Sequence, residues 1–413
     1  MKRNLNVAKG PQSNLPRRHF LAGAALATAA ATILEPRLVA GTEASAKVRV
    51  GLIGCGGRGR WIANLFREHG GYEFIAVADY FKDRADGAGD QLGVPADRRF
   101  TGLSGYKRLL DAKPDAVVIE SPPYFHPEHA LAGAQAGCHV YCAKPIAVDV
   151  PGCQAIAEAG RTATEKKHVM LVDFQTRANE FYREAVARVH AGDIGPVVSG
   201  EAVYYCGGTW GGAEVLAADP NNPENRLRAW GLDRVLSGDV ITEQNIHALD
   251  VATWIIDQNP VKAYGTCGKK GREDPGTCND HFAVVYLFPN DVVLSFASKQ
   301  YGTGYDDIGC RMFGPKGTVD THYFGTVSIH GEKSYKGGRL GNLYTDGAVQ
   351  NIADFHAAIT KGDCANATVA PSVRSNLTTI LGRAAAYKKA EVTWDEMLKT
   401  AEKLEFKTDG LVM

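Results

Sequence analysis

The feature that most constrains the fold is a glycine-rich turn directly behind an apolar run. Val48–Ile53 has the composition of a buried strand, and Gly54-Cys55-Gly56-Gly57-Arg58-Gly59 follows it and opens a helical segment. At this spacing Gly54 permits a tight turn, Gly56 lets a pyrophosphate approach the backbone, and Gly59 lets the helix pack closely on the strand. The N-terminus of the helix then stabilises the phosphate charge. The pattern predicts that Gly54, Gly56 and Gly59 bind a dinucleotide cofactor.

Two further residues bear on which dinucleotide binds. The next strand-like run, Phe74–Ala78, ends at Asp79, about 20 residues beyond the turn, where an acid in this motif binds the ribose hydroxyls. A carboxylate there favours NAD and disfavours a 2′-phosphate. Arg58 lies inside the turn, where a basic residue can contact a phosphate. We predict Asp79 and Arg58 as cofactor contacts and NAD as the cofactor, with NADP as the alternative.

Strand-like and helical segments alternate up to about residue 172. Ala116–Ile119 is apolar throughout, as in a central parallel strand covered on both faces, and His139–Cys142 is a further strand. This favours an α/β fold whose N-terminal domain, residues 47–172, is a Rossmann-type, doubly wound parallel sheet. In residues 173–413, closely spaced strand-like runs between Val197 and Thr321 predict an α+β domain with an open, mainly antiparallel sheet.

The first 46 residues have the pattern of a twin-arginine export signal. Arg17 and Arg18 precede an apolar, Ala-rich run over residues 20–34, and Ala44-Ser45-Ala46 fits peptidase cleavage. The run is short for a membrane span, and no later run is apolar enough to cross a bilayer. We predict export to the periplasm with cleavage after Ala46. A retained membrane anchor and an N-terminal core helix are the alternatives.

Composition excludes two kinds of partner. Lys and Arg together number 46, as do Asp and Glu, and the pI is about 7.2. No basic field is therefore available to hold a nucleic-acid backbone. None of the nine cysteines forms a CxxC pair or has zinc-like spacing with histidine. We predict no metal site and mostly buried, unpaired cysteines, with a Cys267–Cys278 pair across a hairpin as the less favoured alternative.

Polar and charged residues follow two central strands, at the edge where ligands bind in open α/β sheets. Ser121-Pro122-Pro123 ends the first of these strands, and His126 comes soon after. Lys144 directly follows the second and is the best candidate for a charge that points into the crevice, although an exposed lysine at a strand end is common. We predict Ser121, Pro122, His126 and Lys144 as cofactor contacts, and Lys144 also as a catalytic residue.

A second cluster falls on a segment with helical periodicity, Thr242–Ile256. Glu243, His247 and Asp250 occupy positions i, i+4 and i+7 and so share one helical face. An acid and an imidazole on one face can transfer a proton, with the acid setting the tautomer of the ring. A solvated helix face is the common alternative for this pattern. We predict His247 and Glu243 as catalytic residues.

With these residues in place, the chain resembles the Gfo/Idh/MocA oxidoreductases, the relatives of glucose-fructose oxidoreductase and inositol dehydrogenase. The glycine turn matches, the family's Glu-Lys-Pro motif falls on Ala143-Lys144-Pro145, and its Asp-x-x-x-His motif falls on Glu243–His247. Two departures are Ala143 in place of Glu and Glu243 in place of Asp. The resemblance covers nearly all of the chain after residue 46. Later stretches that are also similar to the family are Trp254–Lys270 and Ile380–Tyr387.

The resemblance implies hydride transfer between the nicotinamide and a CH–OH carbon of a sugar, cyclitol or glycoside. In that reaction His247 moves the hydroxyl proton, Lys144 stabilises the charge on the substrate oxygen, and Glu243 positions the substrate or the lysine. Residues from Tyr204 to Trp230 are expected to line the sugar subsite. The family's second domain is an open, mainly antiparallel sheet through which members form homo-oligomers, and we expect the same here.

Export adds a constraint on the cofactor. The twin-arginine route carries folded proteins, so the cofactor can be loaded before export and does not readily exchange afterwards. We therefore expect a tightly bound cofactor that is reduced and reoxidised in one site, as in a transhydrogenase acting on two sugars. A redox-neutral NAD-dependent glycosidase or lyase fits the same constraint. A non-catalytic sugar- or nucleotide-binding protein and a dehydrogenase with exchangeable NAD are the remaining alternatives.

Overall fold

The computed structural model describes residues 47–208 and 211–413. The predicted export signal, with Arg17, Arg18 and the cleavage point after Ala46, lies outside these residues, and so do Thr209 and Trp210 of the predicted sugar subsite. Among the helices that the structure describes, none combines the length and the apolar character needed to cross a bilayer.

A parallel sheet of six strands forms the first part of the described chain, with strand order β3-β2-β1-β4-β5-β6. The order reverses between β1 and β4, which creates the switch point at which open α/β sheets bind ligands. All four residues of β4 are buried, as expected of a strand covered on both faces. These features confirm the predicted Rossmann-type α/β fold, and the predicted boundary at residue 172 falls within the last strand. The strands are β1 Val48–Ile53, β2 Tyr72–Asp79, β3 Arg99–Thr101, β4 Ala116–Ile119, β5 His139–Ala143 and β6 Met170–Asp173.

Helices connect these strands and cover both faces of the sheet. Three of them, α1, α4 and α5, begin close to the carboxyl ends of β1, β4 and β5, so their N-termini lie near the switch point. Short 3₁₀ turns lie at Ala96–Arg98 and Pro123–Phe125. The helices up to residue 190 are α1 Gly57–His69, α2 Lys82–Leu92, α3 Gly105–Asp111, α4 His126–Gln135, α5 Val150–Glu165, α6 Gln175–Ala178 and α7 Glu180–His190.

The second sheet has nine strands in the described residues, in the order β14-β13-β12-β11-β7-β10-β9-β8-β15. All neighbouring strands are antiparallel except β7 and β10, so the predicted open, mainly antiparallel sheet is confirmed. Buried and more exposed residues alternate along β8, β9 and β10, which places one face on helices. The strands are β7 Ser199–Cys206, β8 Lys262–Gly268, β9 His281–Leu287, β10 Val293–Gln300, β11 Asp307–Gly314, β12 Gly317–His322, β13 Thr326–Gly331, β14 Tyr335–Arg339 and β15 Val392–Thr393.

One of the helices that follow residue 190, α14, joins the two sheets. The long helix α14 packs on α5 and on β8 and β9, and one continuous buried cluster contains residues of both sheets, such as Val117 in β4 and Phe282 in β9. All nine cysteines are unpaired and six of them are buried. Further 3₁₀ turns are Trp230–Leu232 and Pro289–Asp291. The helices are α8 Ala213–Ala218, α9 Pro223–Arg228, α10 Arg234–Ser237, α11 Val240–Glu243, α12 Ile246–Ile256, α13 Leu343–Lys361, α14 Val369–Lys388 and α15 Trp394–Thr400.

The segment Thr242–Ile256, predicted as one helix, is divided between two helices, α11 and α12. The amide of Asn245 donates to the carbonyl of Val240, five residues back, so the helical register slips between α11 and α12. Glu243 ends α11, whereas His247 belongs to α12. The two side chains therefore do not follow the i, i+4 geometry of one continuous helix.

Candidate active site

The glycine turn is tightly packed at Gly54 and Gly59 and open at Gly56. Gly54 has φ +96°, and a Cβ there would overlap the backbone nitrogen of Ser121. A Cβ on Gly59 would overlap the carbonyl oxygen of Gly54. A Cβ on Gly56 would meet nothing closer than Arg84 Nη1 at 3.9 Å, and α1 begins at the next residue. This open space at a helix N-terminus fits the pyrophosphate of a dinucleotide.

Asp79 ends β2 beside this turn and is held by two backbone amides. Its Oδ2 accepts a hydrogen bond from the amide of Cys55 at 2.7 Å, and its Oδ1 accepts one from Phe81 at 2.9 Å. Burial raises the pKa of the Asp79 carboxyl, and both amides oppose that shift. Each oxygen keeps a lone pair for a ribose hydroxyl. The groove here is lined by the predicted contacts Gly54, Asp79, Ser121 and Pro122, and also by Leu103, Phe125, His129 and Leu227, which the sequence did not indicate.

The C-terminal segment, residues 404–413, borders the same groove. The amide of Leu103 donates to the carbonyl of Val412 at 3.0 Å, and the amide of Val412 donates to Tyr80 Oη at 3.3 Å. Phe406 is buried in one cluster with Phe81 and Leu227, and both of those residues line the groove. We call this segment the C-terminal strap. It packs against residues that line one side of the cofactor groove.

Lys144 and Glu243 form a buried ion pair on the other side of the switch point. Lys144 Nζ donates to the backbone carbonyl of Glu243 at 2.6 Å and to its Oε1 at 3.1 Å. The two side chains are 9% and 6% exposed. Burial lowers the pKa of Lys144, while Glu243 raises it. The structure therefore brings together two residues that are 99 positions apart in the chain and were predicted as catalytic.

His247 lies in the same region with one ring nitrogen unused. Its ring packs edge-on against Tyr323 with centroids 5.3 Å apart, and Nδ1 is buried without a hydrogen-bond partner in the described residues. Burial, helped by the charges of Lys144 and Arg58, lowers the pKa of His247 well below its ordinary value. The imidazole is therefore neutral at physiological pH and offers a proton acceptor.

A cavity of about 450 Å³ joins these groups, and we call it the reaction cavity. Lys144, Glu243 and His247 line it together with a wall of aromatic side chains from distant parts of the chain. Tyr204 and Trp230 mark the two ends of the predicted sugar subsite and both lie on it. In the residues that the structure describes, no group of three or more His, Cys, Asp or Glu side chains could hold a metal ion. The other aromatic lining residues are Tyr323, Phe324 and Tyr344.

Asp250, predicted to share a face with His247, does not line this cavity. Its carboxylate makes a bidentate pair with Arg177, with Oδ2 2.9 Å from Nε and Oδ1 2.9 Å from Nη2. It also accepts a hydrogen bond from Ser375 Oγ at 2.6 Å and is fully buried. Asp250 therefore ties α12 to α6 and α14, and its role is structural.

Arg58 lines the reaction cavity and not the cofactor groove. Its Nε lies 2.9 Å from Glu120 Oε2, its Nη1 donates to Tyr344 Oη at 2.6 Å, and its Nη2 pairs with Asp173. Burial alone would lower the pKa of Arg58, but the two carboxylates outweigh burial and raise it. The guanidinium is held by two buried acids, Glu120 and Asp173, which the sequence did not indicate, and the contact of Arg58 with a phosphate stays a prediction.

His126 holds the backbone between the two predicted clusters. Its Nε2 lies 2.6 Å from the carbonyl oxygen of Ser121, and its Nδ1 lies 2.8 Å from that of Pro145. Burial lowers the pKa of His126 to about 4. Both ring nitrogens face backbone carbonyls, so His126 fixes the loop after β4 against the residue that follows Lys144. His126 also lines the cavity that contains Lys144, and its contact with the cofactor stays a prediction.

Two family models match the chain. The model described as "Oxidoreductase family, NAD-binding Rossmann fold" matches residues 48–174, and the model of the GFO/IDH/MocA C-terminal domain matches residues 182–320. The chain belongs to the GFO/IDH/MocA oxidoreductase family. The predicted enzyme class, an NAD-dependent oxidoreductase, and the predicted cofactor, NAD, are confirmed.

Relatives within the family include two dehydrogenases of a cyclitol. The chain is 29% identical over 276 residues to inositol 2-dehydrogenase 3 of Saccharopolyspora erythraea, across 66% of this chain and 72% of that protein. It is 27% identical to inositol 2-dehydrogenase of Burkholderia lata, across 65% and 72%.

Solved structures share the fold at lower identity. A levoglucosan dehydrogenase in complex with NADH and levoglucosan superposes with a TM-score of 0.67 at 19% identity, covering 84% of this chain and 99% of that chain. An aldose-aldose oxidoreductase from Caulobacter crescentus gives a TM-score of 0.65 at 20% identity, with the same coverage. These two likenesses show the fold alone.

Proposed function

We propose that this GFO/IDH/MocA protein is a dehydrogenase that oxidises a CH–OH carbon of a cyclitol, sugar or glycoside in the reaction cavity. The observation that carries the proposal is a neutral His247 on the reaction cavity beside the buried Lys144–Glu243 pair. When bound, NAD supplies the carbon that accepts the hydride. The names of the two inositol 2-dehydrogenases support a polyhydroxylated substrate.

One side chain accepts the proton of the substrate hydroxyl, and another stabilises the negative charge that develops on its oxygen. His247 accepts the substrate hydroxyl proton on its imidazole ring, as a general base. Lys144 donates a hydrogen bond to the same oxygen and stabilises its developing negative charge. Glu243 holds Lys144 in place through two hydrogen bonds, and its extra methylene relative to Asp lets the side chain reach the lysine from the end of α11.

His247→Ala tests the proposal. Loss of a general base typically lowers turnover by about 100-fold or more, and we expect that loss with the amount of bound NAD per subunit unchanged. His330→Ala is the matched control, because His330 is exposed on β13. Turnover of a cyclitol or sugar at the wild-type rate by the His247 variant contradicts the assignment.

We also propose that the protein is exported by the twin-arginine route and retains its cofactor through the catalytic cycle, as a transhydrogenase acting on two sugars. The arginine pair and the apolar run that follows it support export. The C-terminal strap along the cofactor groove supports retention.

Absorbance of the protein purified from the periplasm tests both parts. Denaturation should release close to one nicotinamide nucleotide per chain, and a second sugar should reoxidise the reduced protein. A cytoplasmic protein, or an empty one that needs added NAD, contradicts the proposal. Cleavage of a glycosidic bond without net redox change replaces it with the glycosidase or lyase alternative.

The open face of the second sheet supports a further part of the proposal, a homo-oligomer formed through that face. Exposed apolar side chains lie on adjacent strands there: Tyr264 on β8 is 56% exposed and pairs with Val285 on β9, which is 38% exposed. Val293 and Phe313 are also exposed, at 39% and 37%. A second copy of the chain would remove this apolar area from water.

A further inference from the structure

Ala143, where the family motif has Glu, lies between two carboxylates on neighbouring strands. The register pairs Ile119 of β4 with Cys142, so Glu120 is the next residue along and lies opposite Ala143. On the other side, Asp173 of β6 pairs directly with Ala143. The side chains of Glu120 and Asp173 are both 0% exposed. The carboxyl edge of the sheet therefore carries acids on both sides of the position that lacks one.

Arg58 spans the two acids. Its Nε pairs with Glu120 at 2.9 Å and its Nη2 with Asp173, so the guanidinium crosses the position of Ala143 between them. A methyl side chain at residue 143 leaves room for that crossing, whereas a glutamate would compete with it for the same space. The small side chain of Ala143 thus leaves the space that the guanidinium of Arg58 occupies.

Glu120 is the incompletely satisfied member of this group. Asp173 also accepts hydrogen bonds from Asn351 at 2.8 Å and Gln175 at 3.1 Å. In contrast, Glu120 Oε1 is buried with no donor in the described residues, and Glu120 lines the reaction cavity. Burial raises the pKa of Glu120 to about 7, against the opposing effect of Arg58. The charged and titratable groups around Glu120 are Arg58 on α1, Tyr141, Cys142 and Lys144 on and after β5, Asp173 on β6, and Tyr344 on α13.

We propose that Glu120 is a positioning residue of this active site, which provides from β4 the carboxyl group near Lys144 that β5 lacks at Ala143. The inference rests on the proposed function for the identity of the reaction. Arg58 couples the groups, because it pairs with Glu120 and its charge acts on both Lys144 and His247.

The charge on Glu120 decides how strongly Arg58 acts on its neighbours. While Glu120 is ionised it offsets Arg58, so Lys144 keeps its proton for the substrate oxygen and His247 accepts a proton more readily. When Glu120 is protonated, the charge of Arg58 disfavours the cationic forms of both Lys144 and His247. Turnover is therefore expected to rise as the pH increases through about 7.

The pH profile of Glu120→Gln tests this role. Glutamine keeps the size of the side chain but imitates the protonated state, so we expect kcat at about pH 8 to fall about tenfold, the cost of one pKa unit. The acid limb near neutral pH disappears, while KM changes little. Glu184→Gln is the control, because Glu184 is exposed on α7. A Glu120→Gln enzyme that keeps the wild-type acid limb overturns the proposal.

Moving the carboxyl group between strands is a sharper test. Glu120→Ala should lose activity, and the double variant Glu120→Ala with Ala143→Glu should regain most of it, because the acid returns near Lys144 from β5. A double variant no more active than Glu120→Ala overturns the proposal. If Glu120→Gln does not fold, the activity of the double variant still tests the role of Glu120.

A measurement without substrate separates this inference from the proposed function. The rate at which acetic anhydride acylates Lys144, followed by mass spectrometry, reports the deprotonated fraction of that lysine. We expect faster acylation in Glu120→Gln than in the wild type at about pH 8, and an unchanged rate overturns the role of Glu120. If the wild type oxidises no sugar or cyclitol, the proposed function fails and the acylation rate still decides about Glu120.

Discussion

At the scale of single residues, the reaction cavity holds a donor and an acceptor side by side. Burial lowers the pKa of Lys144, but contact with Glu243 raises it and opposes that loss of charge. For His247, burial and both neighbouring cations lower the pKa together. One environment therefore keeps the histidine neutral, while the contact with Glu243 opposes the loss of charge from the lysine, and removal of a hydroxyl proton requires both effects.

Lys144→Met removes the donor and keeps much of the volume of the side chain. It leaves the carbonyl and one carboxylate oxygen of Glu243 without their partner. We expect kcat/KM to fall by about 100-fold, near 2.7 kcal/mol, as for other lost stabilisers of a developing oxyanion. Steady-state kinetics on a cyclitol series measure this loss, and titration with NADH shows whether cofactor affinity is retained. Lys144→Arg, which keeps the charge, should lose less. An equal loss of NADH affinity in Lys144→Met assigns the lysine to the cofactor instead.

Asp79→Asn tests the choice of dinucleotide. The amide retains one acceptor for the backbone of Cys55 or Phe81 but removes the charge that repels a 2′-phosphate. We expect the preference for NAD over NADP to decrease about tenfold, or ~1.4 kcal/mol, as measured by fluorescence titration with both reduced nucleotides. Asp83→Asn is the control, since Asp83 lies on α2 and its side chain is 64% exposed. An unchanged preference removes Asp79 from cofactor selection.

At the scale of elements, the strands and turns that depend on a short stretch of sequence were predicted correctly. The run Val48–Ile53 and the glycine turn behind it set the strand, the turn and the start of α1, and the apolar run Ala116–Ile119 set a central strand. The break between α11 and α12 escaped prediction, because apolar spacing in residues 242–256 stays helical while one backbone hydrogen bond slips in register. The short strand β14 also escaped, because its sequence is polar and glycine-rich.

The candidate site was only partly predictable, because some of its residues are brought together from distant parts of the chain. Lys144 was predicted from its place at a strand end and His247 from the helical spacing of its segment, and both fall on motifs of the family. Glu120 had no such signal, since its importance comes from strand register and from Arg58, which lies in a different motif. The C-terminal strap was equally hidden, because a segment without periodicity gives no sign of what it covers.

Phe406→Ala tests whether the strap retains the cofactor. Phe406 packs with Phe81 and Leu227 beside the groove, and Arg226 lies over its ring at 4.9 Å. Truncation should loosen that side of the groove, and we expect NADH to dissociate about tenfold faster, or ~1.4 kcal/mol. Fluorescence decay after displacement with excess NAD measures the rate. Met413→Ala is the control, because Met413 is 71% exposed. Equal dissociation rates in the wild type, Phe406→Ala and a chain shortened after residue 404 contradict a role in retention.

At the scale of the whole molecule, the second sheet has two faces with different tasks. One face packs on helices and contributes Tyr204 and Ile308 to the reaction cavity. The other bears apolar side chains on β8, β9 and β10, next to the ion pairs of Arg311 with Glu201 and Asp320. An apolar patch beside paired charges has the composition of an interface core with a polar rim. Assembly through this face leaves the reaction cavity, on the opposite face, accessible.

Val285→Glu tests that assembly. Val285 lies between Tyr264 and Ser295 in the strand register, so a carboxylate there would be desolvated at the centre of the patch in an oligomer and solvated in a free chain. We expect the dissociation constant of each interface to rise about 30-fold or more, or ~2 kcal/mol, as measured by light scattering across a dilution series. Val349→Glu is the matched control, because Val349 is 48% exposed on α13, away from the sheet. A wild type that is monomeric at micromolar concentration, or a Val285→Glu oligomer as stable as the control, rules out this face as the interface.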